Sequence, residues 1–370
     1  MTIEKLVNPH IRDLDPYVPG KPIEEVEREL GISGSVKLAS NENPLGPSPK
    51  AIEALANALG EVNRYPDGGC FALRERVAER LGVGPDQLVF GCGGDEVLEL
   101  VVKTFLAPGD EVVMPWPSFA MYPIVTRGMG GVPVRVPLGD DLGHDLPAIA
   151  AAVTDRTKIV FVCNPNNPTG TSYSAAEQAD FVARLPDDVV LFIDEAYYEF
   201  VRRDDFPDSI ALIAERPATL VLRTFSKIYG LAGLRVGYGV GDPELIGFLE
   251  RARHPFNVNR IAEAAALAAL DDDEHVRRSR ELNAAGADFL TRELEALGHR
   301  VWPSDANFLL VEAGVGVADA LLQEGVIVRP LGGFGLDRHV RVSIGTPEEN
   351  EKAVKAFARI AERRGAEASA

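Results

Sequence analysis

Apolar residues recur along the chain in two rhythms. Short apolar runs at Gln87–Phe90, Glu111–Met114, Val132–Val136, Lys158–Cys163, Val189–Asp194, Thr219–Arg223 and Arg235–Val240 predict strands. Between several of them, Asp95–Leu106, Ser118–Thr126 and Ser174–Leu185 carry apolar residues at helical spacing. The runs around Ile159–Val162 and Val189–Ile193 are almost uninterrupted, which predicts strands covered on both faces, as in a mainly parallel sheet. Together they predict an α/β body of roughly 200 residues.

The ends of the chain read differently. Residues 1–40 are rich in Pro and Gly and predict an irregular arm with one short helix, Pro22–Leu30. Ser48 and Pro49 supply an N-cap and a first-turn proline for a helix whose apolar positions are Ile52, Leu55, Ala56 and Leu59, ended by Gly60. After about Asp242 long helical stretches, Pro243–Arg253, Ile261–Leu270 and Val276–Leu297, precede short strands at Phe308–Val311, Val326–Arg329 and His339–Ile344 and a final helix. That order predicts a smaller α+β body. The expected division is an arm at 1–40 packing with the small domain, a large domain at 41–245 and a small domain at 246–370, with a frayed tail at 365–370.

Charge narrows the function classes. Against 38 Lys and Arg stand 56 Asp and Glu, a net charge of −18, which disfavours nucleic acid as a partner because phosphate-backbone affinity needs basic surface. No apolar run approaches the roughly 20 residues that cross a bilayer, so no membrane association is expected. The three cysteines, Cys70, Cys92 and Cys163, form no C-x-x-C pair and fit a reducing, cytoplasmic setting. The six histidines show no ligand spacing, and no metal is expected.

Candidate chemistry collects where predicted strands end. Gly91-Cys-Gly-Gly-Asp-Glu96 lies between a strand and a helix, where backbone N–H groups bind anions, although it also reads as a plain connecting turn. Glu96 replaces the third glycine of a dinucleotide fingerprint, and no Walker lysine is present. Asp194 closes an apolar strand; buried there, it needs a compensating partner such as a protonated pyridine nitrogen, unless it only starts a turn or caps a helix. Lys227 follows Thr224 and Ser226 and precedes Arg235. A lysine in a cation-rich pocket has a lowered pKa and can form a Schiff base, while Thr224, Ser226 and Arg235 carry the donors a phosphate requires. In isolation, Lys227 equally reads as a solvated surface lysine. Asn164-Pro-Asn-Asn-Pro-Thr-Gly170 ends another buried run, and a side-chain amide there can bond a phenolic oxygen, as can Tyr197.

These motifs in this order resemble the fold-type-I pyridoxal-phosphate aminotransferases, and more narrowly the histidinol-phosphate aminotransferase family, from about Val36 to Asn350. The segments that carry the resemblance are 38–46, 64–68, 93–96, 164–170, 194–197, 224–227 with 233–235, 307–308, 328–330 and 341–346. The resemblance implies a pyridoxal 5′-phosphate cofactor, a seven-stranded large-domain sheet and a homodimer. It makes Lys227 the Schiff-base lysine and Asp194 the partner of the pyridine nitrogen. Tyr197 and Asn167 are implied to bond the phenolic oxygen, and the Gly94 and Asp95 amides, Thr224, Ser226 and Arg235 the phosphate. Phe119 is implied to stack on the ring, and Tyr65 to reach the phosphate of the neighbouring subunit's cofactor. Arg341, Arg329, Tyr17 and Asn41 become substrate-pocket candidates. The implied reaction converts L-histidinol phosphate and 2-oxoglutarate to imidazole-acetol phosphate and L-glutamate. Closely similar sequences also act on phenylalanine or tyrosine, and an arginine pocket accepts phosphate or carboxylate, so both substrate classes stay open, as does broad specificity. A ligand-binding domain without catalysis, the third reading, conflicts with intact Lys227, Asp194 and Arg235.

Overall fold

The computed structural model describes residues 2–17 and 19–369, with side chains through 364. Strand β1 (Val36–Leu38) is followed by β2 (Leu88–Gly91), β3 (Glu111–Trp116), β4 (Val132–Pro137) and β5 (Thr157–Cys163). Next come β6 (Val190–Asp194), β7 (Thr219–Thr224) and β8 (Gly237–Gly241), and then β9 (Arg300–Val301), β10 (Phe308–Glu312), β11 (Val326–Pro330) and β12 (His339–Ser343). Seven strands form the large sheet in the order β2-β8-β7-β6-β5-β3-β4. β7, β6, β5, β3 and β4 run parallel, while β8 lies antiparallel between β2 and β7. A second sheet has the order β1-β11-β12-β10-β9.

The apolar runs explain the layering. Every residue of β6 and β7 is buried, and alternate residues feed opposite cores. Val160, Val162, Leu191, Ile193 and Val221 face one cluster; Ile159, Phe161, Val190, Phe192 and Leu220 face the other. Truncating one of these phenylalanines to alanine costs about 3–5 kcal/mol in such a setting. Asp194 therefore extends the Val190–Phe192 face at the carboxyl end of β6, where open α/β sheets bind ligands.

The division expected at 245/246 does not match the packing. Leu245, Ile246 and Leu249 pack with Val97 and Val101, and Ala262, Ala265, Ala266 and Ala269 belong to the cluster of Leu73 and Val221. The alanines of helix Arg260–Leu270 let it lie close against helix Pro49–Ala58. The cores separate along helix Asp273–Ala296, whose Val276 packs on the large core while Ala287, Leu290 and Leu294 enter the small one. The arm divides too: β1 pairs with β11 in the small sheet, but the short helix Pro9–Arg12 packs on helix Met121–Gly128 of the large body. Helix Phe71–Leu81, to which the sequence reading assigns no element, buries Leu73, Val77 and Ala78. The tail extends helix Pro347–Ser369, and Ala370 lies outside the described residues. Among the described residues no helix is long and apolar enough to cross a membrane. Among the described residues no group of three or more His, Cys, Asp or Glu side chains could hold a metal ion.

Candidate active site

A cavity of about 180 Å³ opens at the carboxyl ends of β5, β6 and β7 and is capped by the arm and the small sheet. Asp194 and Lys227 meet there because Asp194 ends buried β6 and Lys227 closely follows buried β7. The Asp194 carboxylate accepts from the Tyr122 hydroxyl at 2.8 Å and from the Ala196 amide at 3.0 Å. Burial nevertheless pushes its pKa up, from 3.8 to about 6, against those two bonds. A cation beside such a carboxylate stabilises its anion further, and a protonated ring nitrogen supplies one. Lys227 Nζ rests 3.3 Å from the Ser40 carbonyl and 5.7 Å from the Tyr197 ring centroid. Burial, reinforced by the Arg341 charge, pushes it down to about 8.

Close backbone approach shapes one end of the cavity. Gly93 has φ +77°, and a Cβ there would lie 2.4 Å from Arg235 Nη2; a Cβ on Gly237 would lie 2.8 Å from the Gly94 nitrogen. Glycine at both positions brings β8 against the first turn of helix Gly93–Phe105, whose N–H groups lack intrahelical acceptors. Arg235, itself left-handed at φ +57°, bonds Asp95 at 3.0 Å and approaches Ser226 Oγ at 3.4 Å. Thr224 accepts from the Ser226 amide at 3.0 Å. Amides, two hydroxyls and a guanidinium thus face one space, a donor set that fits a phosphate. Phe119 lines the same cavity and meets Tyr122 edge-on, with centroids 5.6 Å apart.

Arginines gather at the other end. Arg341 on β12 donates to Asn167 Oδ1 at 2.5 Å and to the Ala39 carbonyl at 2.6 Å, while its buried Nε has no partner. Burial and the neighbouring Arg329 charge lower its pKa. Arg329, its register neighbour on β11, sits 5.4 Å from the Tyr17 ring centroid. Because a guanidinium only donates, the Asn167 oxygen is turned to Arg341 and its amide nitrogen is left for another acceptor. Only Asn167 of the three asparagines lines the cavity. Asn164 holds the Tyr173 amide at 3.1 Å, and Asn166 accepts from Ser118 at 2.7 Å.

Tyr197 is buried, which raises its pKa and keeps it a phenol. Its oxygen accepts from Asn41 Nδ2 at 2.9 Å, so Asn41, expected in the substrate pocket, is largely committed to protein partners. Tyr65 is not brought to this cavity; it is 78% exposed and stacks on Phe256 at 4.7 Å. Tyr122 is the site residue that the sequence reading missed. In the sequence it reads only as an apolar position on the helix that follows Phe119.

The aminotransferase class I and II family model matches residues 33–357. Histidinol-phosphate aminotransferase of Moorella thermoacetica is 49% identical over 95% of this chain and 92% of its own length. Histidinol-phosphate aminotransferase 2 of Pseudomonas fluorescens is 48% identical over 96% and 97%. The crystal structure of histidinol-phosphate aminotransferase from Sinorhizobium meliloti, in complex with pyridoxal-5′-phosphate, superimposes with a TM-score of 0.90 at 30% identity, covering 96% of this chain and 98% of that one. The chain belongs to the aminotransferase class I and II family, within its histidinol-phosphate aminotransferase branch.

Proposed function

We propose that this protein is a pyridoxal 5′-phosphate-dependent aminotransferase interconverting L-histidinol phosphate and 2-oxoglutarate with imidazole-acetol phosphate and L-glutamate, a reaction of histidine biosynthesis. The observation that carries the reading is the meeting of buried Asp194 with half-buried Lys227 between two groups of anion-binding donors. When bound, the cofactor supplies an electron sink for charge developing at the substrate Cα.

The chain's residues divide the remaining work. The Gly94 and Asp95 amides, Thr224, Ser226 and Arg235 hold the cofactor phosphate, and Phe119 covers the ring. Asp194 keeps the pyridine nitrogen protonated. Tyr197 and Asn167 donate to the phenolic oxygen. Lys227 Nζ, with its pKa lowered to about 8, has a usable neutral fraction near neutrality and moves the proton at Cα. Arg341, with its unused Nε, and Arg329 hold the substrate anion beside Tyr17. We read the working form as a cytoplasmic homodimer that takes small-molecule substrates. Exposed Ile52, Leu59, Val62, Tyr65 and Phe71, close together in sequence, support a covered face.

The test has two parts. Borohydride reduction of the cofactor-loaded protein followed by peptide mapping places a reduced adduct on Lys227, and Lys227→Ala loses several orders of magnitude in turnover while still binding cofactor. Comparison of kcat/KM for histidinol phosphate, phenylalanine and tyrosine with 2-oxoglutarate then ranks histidinol phosphate first. A higher value for an aromatic amino acid reassigns the substrate and leaves the chemistry standing.

A further inference from the structure

Asn41 lies where the chain leaves β1 and enters the cavity, and its polar groups are committed in a single direction. Its backbone N–H donates to Ser343 Oγ at 2.9 Å. The one hydroxyl hydrogen of Ser343 donates to Asn41 Oδ1, also at 2.9 Å. That fixes which end of the amide is oxygen, so Nδ2 faces the Tyr197 oxygen at 2.9 Å. An amide nitrogen only donates; the Tyr197 oxygen therefore accepts, and the phenol's own hydrogen is released to the cavity. Asn307 Nδ2 donates to the Asn41 carbonyl at 3.0 Å and steadies a backbone held at φ +57°. Asn41, Ser343 and Tyr197 are 1%, 3% and 3% exposed, so bulk water does not compete for these bonds.

We propose that Asn41, aimed by Ser343, is a positioning residue that sets the polarity of the Tyr197 hydroxyl and so delivers its hydrogen to the cofactor's phenolic oxygen. This rests on the cavity being a pyridoxal phosphate site and adds two residues that act through others, Asn41 through Tyr197 and Ser343 through Asn41. It also ties the cofactor's protonation to the arrangement of the two sheets. Ser343 ends β12 and Asn307 immediately precedes β10, both in the small sheet, whereas Tyr197 follows β6 in the large one. Asn41 itself follows β1 of the small sheet, so moving that sheet away from the large one carries Asn41 and Ser343 together and breaks the bond between Asn41 and Tyr197. A donor to the phenolic oxygen favours its anionic form, so losing that donor raises the pH at which the bound chromophore gives up its proton.

The experiment is a pH titration of the visible absorbance of the cofactor-loaded protein. Tyr197→Phe, which removes the hydrogen altogether, should raise the midpoint by about one pH unit. Asn41→Asp puts an acceptor where the donor stood and turns the tyrosine hydrogen away from the cavity. It should raise the midpoint by at least as much in the parent, and by clearly less in the Tyr197→Phe background, where only the new charge remains to act. Ser343→Ala, which adds no charge, frees the amide to rotate and should raise the midpoint by a few tenths of a unit or more; Ser343→Thr keeps the hydroxyl and should restore the parent value. Equal Asn41→Asp shifts in both backgrounds, or a Ser343→Ala midpoint at the parent value, overturn the relay. A parent protein that binds no chromophore overturns the cavity reading itself, and the relay with it.

Discussion

The Tyr122 hydroxyl reaches Asp194 Oδ2 across 2.8 Å from helix Met121–Gly128, a contact between residues 72 apart in sequence. Tyr122 is fully buried and stacks on Phe161 at 4.8 Å, so its ring is held by packing while its hydroxyl serves the carboxylate. Removing the hydroxyl alone leaves that packing in place. Tyr122→Phe should therefore fold normally yet bind cofactor about tenfold or more weakly, since a hydrogen bond to a charged group is worth about 1.5–3 kcal/mol. A fluorescence titration of the apoprotein with pyridoxal phosphate measures this. Unchanged affinity would show that the Ala196 amide suffices to hold the anion.

Asp194 should also cost the apoprotein stability, in a defined pH window. Its folded pKa, about 6, exceeds the ordinary 3.8, so the unfolded chain holds the anion more easily than the folded one. The cost is absent below about pH 3.8, grows between the two values and is complete above about pH 6. At about 1.4 kcal/mol per pH unit it is on the order of 3 kcal/mol. Asn can replace Asp here with its oxygen to the Ala196 amide and its nitrogen to Tyr122 Oη. Asp194→Asn should thus raise the apoprotein melting temperature at pH 8 by more than at pH 4.5, while kcat of the loaded enzyme falls. An equal gain at both pH values would mean that the buried charge is not the cause.

The strand-end chemistry was legible because it rests on local sequence. A buried apolar run announces its strand, and the first polar residues after it, Asp194, Thr224 and Asn164, must lie at its carboxyl end. What crosses the chain left no such mark. Asn41 and Ser343 are 302 residues apart and carry no pattern that pairs them. Tyr122 reads as one more apolar position on a helix, because its hydroxyl matters only after Asp194 arrives beneath it. The boundary at 245/246 was misplaced because helical texture changes there while packing does not. An alanine-rich helix such as Arg260–Leu270 declares that it packs closely, but not against which core. The apolar neighbours of Arg235 predict a strand through it, whereas the backbone turns left-handed there and β8 begins at Gly237.

The two arginines should separate by substrate. Arg341 is buried and braced by Asn167 and the Ala39 carbonyl; if it receives the anion of every substrate, Arg341→Ala should raise KM for all of them. Arg329 lies more openly beside Tyr17 and adds a second positive charge. A phosphate, with more negative charge than one carboxylate, gains more from it. Arg329→Ala should then cost about 1.5–3 kcal/mol in kcat/KM for histidinol phosphate and clearly less for phenylalanine. Equal losses would favour a broad-specificity pocket.

Tyr65 offers a test of the dimer. It is 78% exposed and lies outside the cavity that holds Lys227, as expected if it serves a partner's site. An isologous dimer then has two sites, each combining Lys227 of one chain with Tyr65 of the other. Tyr65→Asp sets a negative charge against the cofactor phosphate, and Lys227→Ala removes the proton carrier, so each homodimer should be nearly inactive. When equal amounts exchange subunits at random, about half the dimers are mixed, and each mixed dimer has one site with both residues intact and one with neither. Activity should return to about a quarter of the parent value, set by this symmetry alone. Subunit exchange can be followed independently by mass-tagged chains in native mass spectrometry. Demonstrated exchange without recovered activity would place Tyr65 at its own chain's site, or outside the site altogether.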